Sequence, residues 1–93
     1  MRLKQSEINI IKNIVQQVDK SAKVYLYGSR VNDKLKGGDI DLMVFSEKIS
    51  FMEQLKIKAE MHHQLGEQKI DLLITEDLGK PFVQLVLETA VLL

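Results

Sequence analysis

Apolar positions recur along this chain with two periods, and each change of period marks an element. From Ser6 to about Lys20, Ile8, Ile11, Val15 and Val18 share one face at helical spacing, with Ser6 placed as the N-cap. Lys23 to Tyr27 reads as a strand, because Val, Tyr and Leu favour a pleated surface. Gly28-Ser29 interrupts it, a short turn or helix follows, and Lys36-Gly37-Gly38 is a second break. Asp39 to Phe45 is the next strand, with Ile40, Leu42 and Val44 alternating against Asp39, Asp41, Met43 and Phe45. Ser50 to Leu65 reads as a second helix capped by Ser50. At about 100° per residue its apolar face is Phe51, Met52, Leu55, Ala59 and Leu65, which leaves Ile57 and Met61 outside. Lys69 to Ile74 is a third strand, with Ile70, Leu72 and Ile74 on one side. Pro81 suits a first helical turn, so Phe82 to about Ala90 is expected as the last helix.

The order helix, strand, short helix, strand, helix, strand, helix describes a small α/β or α+β sheet covered by helices. Strand order and strand direction do not follow from the pattern. The 93 residues suffice for one small domain, residues 1–93, and leave no room for a second core.

Composition narrows the function classes. Thirteen Lys and Arg balance 13 Asp and Glu, whereas a nucleic-acid binder usually carries a basic excess. No direct nucleic-acid contact is therefore expected. The chain has no cysteine, which excludes disulfides and thiolate metal sites and fits a reducing compartment. The N-terminus lacks the apolar run of a signal peptide. No stretch approaches the ~18 apolar residues of a membrane span. A cytoplasmic protein without a membrane partner is the expectation.

Asp is depleted from strands, yet Asp39 and Asp41 stand two apart in an apolar one, so both carboxylates project from one face. Asp71 interrupts the third strand in the same manner. If the two strands are neighbours, three carboxylates converge. Two carboxylates about 4 Å apart repel by roughly 4 kcal/mol at an effective dielectric of about 20, and a divalent cation removes that penalty. An all-oxygen set suits Mg²⁺ or Mn²⁺, and Mg²⁺ usually pairs carboxylates with substrate phosphates. The competing reading is that these residues cap turns, as Asp39 after Gly37-Gly38 is placed to do. Gly28-Ser29 offers close backbone approach and a hydroxyl for phosphates, or is simply a turn; it is not a P-loop.

Taken together, LYGSRVNDKLKGGDIDLMVF resembles the minimal nucleotidyltransferases of the DNA polymerase β superfamily. Their signature is an apolar strand ending in Gly-Ser, a loop, Asp-x-Asp in a second strand and a further Asp in a later one, here QKIDLLI. The likeness is strong from Val24 to Ile74 and looser toward LVLETAVLL. Nine residues separate Ser29 from Asp39, one fewer than is common in close relatives. The resemblance implies a palm-like nucleotidyltransferase fold with a small mixed sheet. It implies that Gly28 and Ser29 contact the β- and γ-phosphates of ATP, and that Asp39 and Asp41 ligate two Mg²⁺ ions. Asp71 completes the catalytic metal site and helps deprotonate the acceptor hydroxyl. Arg30 adds charge at the phosphates or is a solvated surface arginine, and Lys36 has a weaker claim of the same kind.

Stand-alone members of this family typically pair with a small helical HEPN protein, a toxic ribonuclease. They act as its antitoxin and transfer AMP from ATP to one of its tyrosines. That is the first function the resemblance implies. The alternatives are a binding module that masks the toxin without turnover, or nucleotidyl transfer to a small molecule.

Other residues carry less. His62 and His63 are adjacent, so they diverge by about 100° on a helix and do not form a metal pair; His62 is expected to pack partly buried. Tyr25 and Tyr27 share a strand face as core residues, with Tyr27 also placed to border the nucleotide. Phe82 to Leu93 holds nine apolar residues among twelve. Together with Ile57 and Met61, this run suggests a homo- or hetero-oligomeric interface through the C-terminal helix, unless that helix simply closes the sheet.

Overall fold

The computed structural model describes residues 1–34 and 38–93. Lys36 and Gly37, named above for a break and a phosphate contact, lie outside the described residues. The elements are α1 (Gln5–Val18), β1 (Lys23–Tyr27), a short 3-10 turn (Gly28–Val31), β2 (Ile40–Phe45), α2 (Phe51–Leu65), β3 (Ile70–Thr75), α3 (Pro81–Leu87) and β4 (Val91–Leu92).

The sheet order is β3-β2-β1-β4. β1 runs antiparallel to β2 and to β4, while β2 and β3 are parallel, so the sheet is mixed. Alternation along each strand sends one set of side chains to each face. Val24, Leu26, Ile40, Leu42, Val44 and Ile70 meet Ile11, Ile14 and Val15 of α1 and Ile57 and Met61 of α2 in the main core. On the opposite face Met43 meets Val83 and Val86 of α3, with Tyr25, Tyr27 and Leu73 among the residues packed around them. Among the described residues one seven-residue helix covers part of that face, and it is the face that carries Asp41 and Asp71.

Local chemistry explains the helix boundaries. The first helix begins one residue before the predicted cap: Lys4 donates its backbone N–H to Glu7 Oε1 at 3.0 Å, and its carbonyl accepts from Ile8 N at 3.0 Å. Glu7 thus supplies the cap, and Ser6 lies inside the helix. Asp19 closes α1 and is buried; it accepts from Ser46 Oγ at 2.6 Å and from Ser21 N at 2.9 Å, tying the helix to the end of β2. Ser50 caps α2 as predicted, accepting from Glu53 N at 3.1 Å.

Expectations for α2 and for the C-terminus are overturned. In α2 the buried residues are Ile57 (2% exposed) and Met61 (0%), whereas Phe51 (71%), Met52 (63%) and Leu55 (48%) face solvent, as does Ala59. Apolar residues occur all around this helix, so periodicity alone favours the larger set. The positions of α1 and of the sheet decide which side is covered. The same rotation leaves His62 exposed rather than partly buried, and His63 is exposed as well. The second correction concerns the C-terminus, where α3 ends at Leu87 instead of reaching Ala90. The chain returns as β4, pairing Leu26 with Val91 and Tyr25 with Leu92, and Leu93 N donates to Val24 O at 2.8 Å. Val91 and Leu92 suit a strand, and β1 would otherwise present an unpaired edge. Much of the C-terminal apolar run is therefore spent internally, although Phe82 and Leu85 remain exposed. Among the described residues no helix is long and apolar enough to cross a membrane.

Candidate active site

Parallel pairing of β2 with β3 places Asp41 directly opposite Asp71. Neighbouring strands lie about 4.8 Å apart, so these carboxylates stand side by side on the α3 face. Antiparallel pairing of β1 with β2 puts Tyr27 opposite Asp41 from the other flank. Burial, then a hydrogen bond to Asp71 and the negative charges of Asp71 and Asp39, hold the Asp41 carboxyl above its ordinary range, with Lys69 pulling back. Burial and the same two neighbours, Asp41 and Asp71, push the Tyr27 phenol up. Tyr27 therefore packs in the α3 cluster and also senses the acidic pair.

Asp39 precedes β2 and is partly exposed. Its Oδ2 lies 3.4 Å from Lys69 Nζ. Among the described residues no group of three acidic or imidazole side chains is gathered closely enough to hold a metal ion. The structure thus brings Asp41 and Asp71 together and turns Asp39 toward a lysine at their margin. The donor set still fits a divalent cation. Two adjacent carboxylates with an upward-shifted Asp41 form a strained anionic pair that a cation relieves, and all their donors are oxygen.

The turn after β1 approaches this pair closely. Gly28 has φ +75°, and a Cβ there would overlap Asp41 Oδ2, so only glycine fits. Gly38 has φ +90°, and a Cβ there would overlap Ser29 Oγ. Beside the turn lies a cleft of about 730 Å³ lined by Gly28, Ser29, Val31, Asn32, Asp33, Lys34 and Thr89. Small-molecule sites commonly span roughly 300–1,000 Å³, which accommodates a nucleotide.

Arg30 is half-exposed, and its guanidinium is engaged by acceptors of the protein itself. Its Nε donates to Gly38 O at 3.3 Å, Nη1 to Arg2 O at 3.1 Å and Nη2 to Gln68 Oε1 at 3.0 Å. Sequence reading missed Arg2, Lys34 and Thr89. Nothing local marks them: Thr89 reaches the cleft because the chain turns after α3, and Arg2 reaches the turn across the fold.

Residues 9–93 match the family described as polymerase beta, nucleotidyltransferase. The chain is also 29% identical over 86 residues to the probable protein adenylyltransferase MntA of Haemophilus influenzae. That alignment covers 90% of this chain and 75% of the relative.

Proposed function

For this chain, which belongs to the polymerase β nucleotidyltransferase family, we propose transfer of AMP from ATP to a protein tyrosine, on a HEPN-type helical toxin that it silences as an antitoxin in the cytoplasm. The observation that carries the reading is the juxtaposition of Asp41 and Asp71 under a glycine that lets the backbone touch Asp41. Similarity to a probable protein adenylyltransferase supports a protein as the acceptor.

In this reading Asp39, Asp41 and Asp71 hold Mg²⁺, with Asp39 leaving Lys69 to do so. When bound, two such ions stabilise the attacking and leaving oxygens of an in-line displacement at phosphorus. Gly28 and Ser29 receive the β- and γ-phosphates at the cleft, and Arg30 holds the turn that presents them. The acceptor hydroxyl oxygen forms a bond to the α-phosphorus, the bond from that phosphorus to the bridging oxygen breaks, and pyrophosphate leaves. The hydroxyl proton passes to Asp71 and on to water. No covalent enzyme intermediate is needed, so the chain's task is positioning and charge compensation.

The test is the intact mass of the helical partner protein after incubation with this chain, ATP and Mg²⁺, with the Asp39→Asn variant alongside. Gains of one or more AMP units, lost in the variant, support transfer. A stable complex without any mass gain would instead favour a masking module.

A further inference from the structure

Arg2 lies far from the motif in sequence, yet it shares four hydrogen bonds with it. Its backbone N–H donates to Arg30 O at 2.7 Å. The guanidinium Nη2 donates to Ser29 O at 3.2 Å, and Nε donates to Asn32 O at 3.3 Å. Arg30 answers in kind, donating Nη1 to Arg2 O at 3.1 Å. The same Arg30 reaches Gln68, whose Nε2 donates to Glu7 Oε2 at 3.0 Å, so the clamp is anchored on α1.

We infer that Arg2 is a positioning residue for the nucleotide: with Arg30 it forms a reciprocal clamp that fixes the Gly28–Val31 turn in the shape that presents Ser29 to phosphate. This rests on the AMP-transfer reading of the site. One planar guanidinium spans the carbonyls of Ser29, within the turn, and Asn32, just after it, and so draws both acceptors toward itself. Carbonyl oxygens facing the cleft would repel a phosphate; held by Arg2, they are neutralised by a cation instead. Arg2 Nη2 also lies 3.7 Å from where a Gly38 Cβ would stand, the same place that Ser29 Oγ crowds. The cation and the Ser29 hydroxyl thus both lie close to Gly38. Arg2 is not among the described residues lining the cleft, which distinguishes positioning from direct ligand contact. A lysine offers one ammonium point and no fork, so it cannot hold both carbonyls in this geometry.

The experiment compares wild type, Arg2→Ala and Arg2→Lys by titration calorimetry with Mg·ATP, by melting temperature, and by amide hydrogen exchange. For Arg2→Ala the expected result is a dissociation constant raised about tenfold, as befits two lost hydrogen bonds from a charged donor. The binding stoichiometry stays at the wild-type value. The Asn32 amide, which donates to Ser29 O at 3.2 Å, exchanges faster while β2 and β3 amides do not. Arg2→Lys recovers little of the affinity. A merely structural role would lower melting temperature and stoichiometry with the dissociation constant unchanged, and that result overturns the inference. Unaltered exchange at Asn32 overturns it as well. Failure of wild type itself to bind Mg·ATP would remove the AMP-transfer reading and the positioning role with it. Equal affinity in wild type and Arg2→Ala removes the positioning role alone.

Discussion

Substituting Asp41 by Asn is expected to stabilise the metal-free protein. Asp41 stands opposite Asp71 on a parallel neighbour, and burial, Asp71 and Asp39 all hold its carboxyl above the ordinary range. Two full charges about 5 Å apart at an effective dielectric of about 20 repel by roughly 3 kcal/mol. Both residues are part-exposed, and screening by solvent reduces such a term to about 1 kcal/mol. For a domain of this size that corresponds to a melting temperature raised by roughly 4–8 °C. The amide keeps the carboxylate's shape and can donate to Asp71. The pH dependence has a definite sign. The folded pKa of Asp41 lies above the unfolded value of about 4, so the fold loses stability as pH rises through the window between them. Below that window the penalty is absent, and above it the penalty is complete. The gain from Asp41→Asn is therefore full at pH 7 and vanishes at about pH 3. Thermal unfolding in EDTA at both pH values measures it. Added Mg²⁺ raises the melting temperature of wild type by linkage and leaves the variant nearly unmoved. A variant no more stable than wild type at pH 7, or equally stabilised at pH 3, would refute the electrostatic account.

Gly28→Ala forces a Cβ onto Asp41 Oδ2 at φ +75°, so it costs about 1–3 kcal/mol in denaturant unfolding and abolishes nucleotidyl transfer. Asp19 is held below its ordinary range by the Ser46 hydroxyl and the Ser21 N–H. Its contribution is in place above the unfolded pKa of about 4 and is lost as pH falls through the lower folded pKa. Acid unfolding of Asp19→Asn is correspondingly shallower below about pH 4 than that of wild type, and identical profiles would count against the Ser46 bond. Ile57→Ala in the buried face of α2 costs about 2–5 kcal/mol, while Leu55→Ala on its exposed face stays within about 0.5 kcal/mol. A reversed order in urea unfolding would restore the face read from periodicity.

Several features were legible because they are local. Alternation in β2 puts Asp41 on the face opposite Ile40 and Leu42 whatever the sheet does, since successive residues of any strand alternate. The Gly28-Ser29 break, the Ser50 cap and the strand around Asp71 were readable for the same reason: propensity, capping and period act within a few residues. Tertiary structure decided the rest. Parallel pairing of β2 with β3 brings Asp41 to Asp71, and neither strand encodes its neighbour. α2 offers apolar residues on several sides, and only the packing of α1 and the sheet selects Ile57 and Met61. Val91 and Leu92 become a strand because β1 has an edge to fill. Arg2 meets the turn through a contact between residues 27 positions apart, which no local pattern encodes. Short-range forces specify the elements and the chemistry they carry, whereas burial and pairing depend on surfaces that exist only once the chain has closed on itself.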